Sequence, residues 1–178
     1  EDMSQSKLGT FEKIYREIFQ GETGAPMSSY GFGDLDFSPL VNPLMSILEI
    51  ELNRSLYQEI RRINGIDMTK YYFKNAPSKQ ITVDGKTYEL GSKKQMLGGL
   101  KALISYYRNE LSGHMADPAG FTGILSKVIN VRNGASHDSY IDKDSFMAFY
   151  ESYSQLFNGS IGQLMDLKKR LASCAQKN

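Results

Sequence analysis

Apolar residues recur at the three- and four-residue spacing of a helix face in five separate stretches of the chain, and alternate in one. The first stretch is short: Phe11, Ile14, Tyr15, Ile18 and Phe19, begun by Thr10 and stopped at Gly21. The second opens at Asn42-Pro43, a capping amide and then a proline whose missing N–H costs nothing in a first turn. It carries Leu44, Ile47, Leu48, Leu52, Leu56, Ile60 and Ile63 down to a stop at Gly65. The third runs from a Ser92 cap through Leu97, Leu100, Ile104, Tyr107 and Leu111 to Gly113, with Gly98-Gly99 inside it as a place for close helix–helix approach. The fourth starts at Asp117-Pro118 and buries Phe121, Ile124, Leu125, Val128 and Ile129, and Gly134 can take the left-handed conformation that ends it. The fifth follows an Asp142 cap with Phe146, Phe149, Tyr150, Tyr153, Leu156, Phe157, Ile161, Leu164 and Leu171, and Asn158-Gly159 can divide it in two.

The alternating stretch is Ile81-Thr82-Val83 and Lys86-Thr87-Tyr88-Glu89-Leu90 about Asp84-Gly85, a pair suited to the positive φ angles of a tight hairpin turn. The pattern therefore predicts a mainly α, up-and-down bundle of four to five helices with a small β-hairpin inserted. Between the helices, residues 21–39 are rich in breakers, and their aromatics Tyr30, Phe32 and Phe37 suit a lid over the core. Lys70 to Lys74, lysines interleaved with aromatics, suits a segment covering the core or, less simply, a nucleic-acid contact.

Composition narrows the function classes. At 178 residues one domain can bury a sufficient core, and a formal net charge of +1 leaves no broad basic footprint, so any nucleic-acid contact must be local. The single cysteine, Cys174, excludes an internal disulfide, and no histidine–cysteine cluster has zinc-ligand spacing. No metal or other cofactor is expected. No long apolar run suggests a membrane span, and no charged-then-apolar segment suggests export, which together fit a reducing cytoplasm.

Reactive groups converge in one place. Arg132 follows Val128 by one helical turn and so shares its face, Asn133 comes next, and a loop beyond Gly134 can return His137 to the guanidinium. An arginine offers phosphate oxygens a planar fork of donors, and an imidazole exchanges protons near neutral pH. Read without chemistry, the same residues merely complement a helix C-terminus. Elsewhere His114 stands in a turn with no partner motif, and Glu51, Ser55 and Glu59 border a helix stripe. Their simplest reading is a solvated face, with a hold on Arg132 or a pairing across a dimer as the alternative. Lys168-Lys169-Arg170 fits a helix C-terminus or a charge guide for RNA.

Arg132-Asn133-Gly134-Ala135-Ser136-His137 resembles the signature of the HEPN superfamily: an arginine, a polar residue, three variable residues and a histidine, after the third main helix of an all-helical bundle. The resemblance covers roughly residues 42–171, with the first helix and loop, residues 1–41, outside it. It implies a single HEPN-like domain and a metal-independent endoribonuclease of the toxin or abortive-infection type. In such an enzyme the 2′-hydroxyl of RNA attacks the adjacent phosphate, His137 serves as base or acid, Arg132 neutralises the phosphate and Asn133 positions either one. It further implies a homodimer that brings two motifs together, and an antitoxin or sensor as regulator. Where the toxin branch carries a tyrosine two residues after the histidine, this chain has Ser139, with Tyr140 one later. Some members of the superfamily are non-catalytic scaffolds that bind nucleotides or proteins, and that alternative remains open at this point.

Overall fold

The computed structural model describes residues 3–20, 36–66, 78–91, 94–135 and 140–176. Among them are seven helices and one hairpin: α1 (Met3–Gln20), α2 (Ser38–Arg54), α3 (Leu56–Ile63), β1 (Gln80–Val83), β2 (Lys86–Glu89), α4 (Leu97–Tyr106), α5 (Arg108–Leu111), α6 (Pro118–Ala135) and α7 (Lys143–Gln176). Ser55 separates α2 from α3 and Tyr107 separates α4 from α5, so each pair counts as one interrupted helix and the total of five falls within the expected four to five. The fold is mainly α, as the periodicity predicts.

Several local signals act where the sequence puts them. Asp84 and Gly85 take φ angles of 49° and 76° and close the hairpin, whose pairs run from Gln80 opposite Glu89 to Val83 opposite Lys86. Val83 and Tyr88 turn inward from it. Gly65, at φ 72°, closes α3: its N–H reaches the Arg62 carbonyl at 2.9 Å while the Ile66 N–H reaches that of Arg61 at 3.1 Å. Asp117 caps α6 by accepting from the Gly120 N–H at 2.8 Å, and Asp142 caps α7 by accepting from that of Ser145 at 2.7 Å.

Four expected boundaries move. The first helix extends back to Met3, so Thr10 is not its cap; its hydroxyl donates to the Ser6 carbonyl within the helix. The second begins at Ser38, not Asn42, and holds Pro43 in its second turn. What starts it is Asp36, whose Oδ1 accepts from the Ser38 N–H at 2.9 Å and from the Ile141 N–H at 3.1 Å, while the Phe37 N–H reaches the Ile141 carbonyl at 2.9 Å. A contact with the approach to α7 thus outweighs the local Asn-Pro signal. Gly134 is helical, since α6 continues to Ala135, and α7 passes through Asn158-Gly159 without a break over its 34 residues. The glycine costs about 1 kcal/mol there, less than the packing of apolar side chains on either side of it supplies. The Ser92 cap, Tyr30, Phe32 and the Lys70–Lys74 segment lie outside the described residues.

The core joins all of these elements. Phe37 is fully buried and stacks on Phe146 at 5.4 Å, as a lid residue should, and Leu48, Leu52, Ile60, Leu100, Leu125 and Val128 are buried with it. Phe11 of α1 stacks on Tyr150 of α7 at 6.3 Å. Asn53 ties α2 to the segment before α4, donating to the Gln95 carbonyl and accepting from its N–H, each at 2.9 Å. Gly99 is indeed a close approach, but to the hairpin: a Cβ there would meet the Tyr88 ring at 3.5 Å and the Gln95 side chain at 3.1 Å, whereas Gly98 faces nothing within 4 Å. Burial pushes the Tyr153 phenol up, helped by the charge of Glu51, and its hydroxyl donates to the Leu44 carbonyl at 3.0 Å. Tyr153→Phe is expected to lower stability by about 1 kcal/mol, the net worth of one buried hydrogen bond, in urea denaturation with an unchanged slope. A variant as stable as the parent would deny this bond a role.

Candidate functional site

Arg132 occupies the last turn of α6, where a cation complements the helix dipole. It is half-buried, next to the partly buried Val131 and one turn past fully buried Val128, with Asn133 exposed beside it. His137 lies outside the described residues, and so does Ser139. Two of the three residues singled out by the motif therefore share one end of α6. The last turn that presents them lies against the bundle because Leu125 and Val128, on the preceding turns, are buried among α2, α4 and α7.

A second group of polar side chains is assembled at the other end of α6. Its centre is Glu59, buried on α3 with a side chain only 1% exposed. Arg62 grips that carboxylate with two bonds, Nε to Oε2 at 2.8 Å and Nη2 to Oε1 at 2.7 Å. His114, in the turn between α5 and α6, approaches Oε1 with Nε2 at 2.9 Å, and Arg170 of α7 approaches Nδ1 of the same ring with Nη2 at 2.7 Å. The same Nη2 lies 3.2 Å from Nε2, so the guanidinium rests against the ring, and Nε2 is the ring nitrogen that faces Glu59. His114 in this arrangement links a buried carboxylate to a cation at the surface. Burial alone would raise the Glu59 carboxyl, but the hydrogen bonds and charge of Arg62, with those of His114, hold it below its ordinary value.

Neighbouring contacts set the geometry. Asn64 and Tyr107 exchange hydrogen bonds at 2.8 and 3.0 Å, fixing the end of α3 to the α4–α5 junction. The Ala116 N–H donates to Gln163 Oε1 at 3.1 Å, fixing the turn to α7. Between turn and helix lies an open cleft of about 440 Å³ whose lining includes Gly113, His114, Met115, Gln163, Leu167 and Arg170.

Three expectations change here. Glu59 is not on a solvated face, and neither is Ser55, which is fully buried. Glu51 pairs with Lys168 at 2.5 Å. His114, read from the sequence as a turn residue without a partner, has two. Of the basic triplet, Lys168 pairs with Glu51, Lys169 stands 4.0 Å from Asp166 and Arg170 meets His114, while α7 continues to Gln176. Only one signal in the sequence pointed to this cluster, a glutamate bordering an apolar stripe. Among the described residues no group of three or more His, Cys, Asp or Glu could hold a metal ion, and no helix is long and apolar enough to cross a membrane.

Comparison with family models, with curated proteins and with solved structures finds no match.

Proposed function

We propose that the chain is a HEPN-type endoribonuclease, an effector of the toxin or abortive-infection kind, acting through Arg132, Asn133 and His137 without a metal. One observation carries the reading: Arg132 ends the third of the four helical segments that follow α1, counting α2–α3 and α4–α5 as one each, with exposed Asn133 beside it. A helix C-terminus by itself repels an anion. A phosphate bound there depends on the positive charge of Arg132, which gives that residue the electrostatic role the motif requires of it.

In the proposed reaction the 2′-oxygen forms a bond to phosphorus and the bond from phosphorus to the 5′-oxygen breaks. The products are a 2′,3′-cyclic phosphate and a 5′-hydroxyl. His137 takes the proton of the 2′-hydroxyl, and the second imidazole of a homodimer gives one to the departing 5′-oxygen. Arg132 stabilises the added charge on the pentacoordinate phosphate and Asn133 orients the attacking group.

The test is cleavage of single-stranded RNA by the purified protein in EDTA, with end analysis of the products. Cyclic or 3′-phosphate ends are expected, and a strand with 2′-deoxyribose at the cut site should stay intact. Loss of cutting on chelation, or equal cutting of DNA, would overturn the reading and leave a binding scaffold in its place.

A further inference from the structure

We propose that the cleft between the α5–α6 turn and α7 is a binding site for a small phosphate monoester, held by Arg170 and His114 above buried Glu59. It is separate from the Arg132 end of the bundle: from Pro118 to Arg132 the α6 axis runs about 21 Å at the usual helical rise.

Charge gives the sign of the ligand. Glu59 is matched by the two-pronged grip of Arg62, and Glu51 by Lys168. Asp166, on the rim, faces Lys169 and is 82% exposed, so water screens it. Among the described residues Arg170 has no carboxylate partner; its guanidinium meets the His114 ring. The cleft thus holds one cation whose charge is not offset. A guanidinium has five N–H donors, and the imidazole engages Nη2 alone, which leaves a fork for two oxygens of an anion. Gln163 accepts from the Ala116 N–H with its carbonyl oxygen, so its amide N–H groups are further donors in the wall. Met115 and Leu167, each 2% exposed, make an apolar floor.

Size and donor geometry give the ligand class. A cleft of about 440 Å³ falls within the range of small-molecule sites, well beyond the needs of a bare ion. Two oxygens of a phosphate fit the guanidinium fork and a third is left for the Gln163 amide, where a carboxylate has only two.

Histidine-ring NMR of the full chain reads this directly, because the chain has only two histidines and His114→Gln assigns the signals. Ribose 5-phosphate and inorganic phosphate are titrated at pH 7 and constant ionic strength, with succinate as the carboxylate arm. Saturable shifts of the His114 signals are expected with both phosphates, weakened about tenfold or more in Arg170→Gln, as loss of a charged hydrogen-bonding group predicts. Arg170→Lys, which keeps the charge and loses the fork, serves if the glutamine variant does not fold and should also bind more weakly. Shifts confined to His137, shifts reproduced by potassium chloride, or shifts unchanged in a folded Arg170 variant would overturn the site. Succinate binding as tightly as ribose 5-phosphate, or inorganic phosphate binding alone, would overturn the ligand class.

Discussion

Arg132→Lys is expected to lose RNA cleavage by about a hundred- to a thousandfold in kcat/KM while keeping the melting temperature of the parent. The two readouts separate because they depend on different properties of the side chain. Stability at the end of α6 draws on a positive charge near the helix C-terminus, which lysine retains. Catalysis as proposed draws on two parallel N–H donors in a rigid plane, which lysine lacks. At about 1.4 kcal/mol per tenfold, the expected loss corresponds to about 3–4 kcal/mol of transition-state stabilisation, the scale of one preorganised donor in an oxyanion site. His137→Ala should lose about as much or more, by the usual contribution of a general acid or base. Steady-state cleavage of a labelled RNA, with melting curves of the same samples, decides the matter. Full activity in His137→Ala would remove the motif from the chemistry, and parallel loss of stability and activity in Arg132→Lys would reduce Arg132 to a structural residue.

Glu59→Ala is the substitution expected to cost most stability among the polar positions, about 2–3 kcal/mol. Breaking a buried ion pair costs about 3–5 kcal/mol when the surviving partner is trapped. The value is lower here because Arg62, whose side chain is 50% exposed, can turn to water. At about 2–4 °C per kcal/mol for a chain of this size, the melting temperature should fall by about 4–12 °C. Glu59→Gln keeps the shape and one acceptor and should cost less. The acid side adds a signed expectation. Since the folded protein holds Glu59 below its unfolded value of 4.5, the stabilisation it supplies is complete above that value and disappears as pH falls through the lower, folded one. Urea midpoints of the parent should therefore drop faster than those of Glu59→Gln as the medium is acidified below about pH 4.5. Curves that stay parallel through that window would show that the carboxylate is not selectively stabilised by its partners.

These two residues also differ in how far the sequence reveals them. Arg132 is found by reading forward along one helix: an apolar stripe, its spacing, then an arginine on the same face. Glu59 looks like any glutamate at the edge of a stripe, and its importance comes from His114, 55 positions away, which Arg170 then approaches from 56 further on. No periodicity encodes such a meeting, because it depends on which helix faces which.

What the sequence by itself determined is local: the hairpin turn at Asp84-Gly85, the stop at Gly65, the caps at Asp117 and Asp142, and the inward faces of the helices. Each needs only a few neighbouring residues whose backbone preferences agree with their polarity pattern. Only the tertiary structure decided the start of α2, which Asp36 sets through Ile141 at a separation of 105 residues, and the unbroken run of α7 across Asn158-Gly159. It also decided the burial of Glu59 and the cleft under Arg170. In each of these a preference of about 1 kcal/mol competes with burial or a charged hydrogen bond worth as much or more, and the winner depends on partners brought together by the fold.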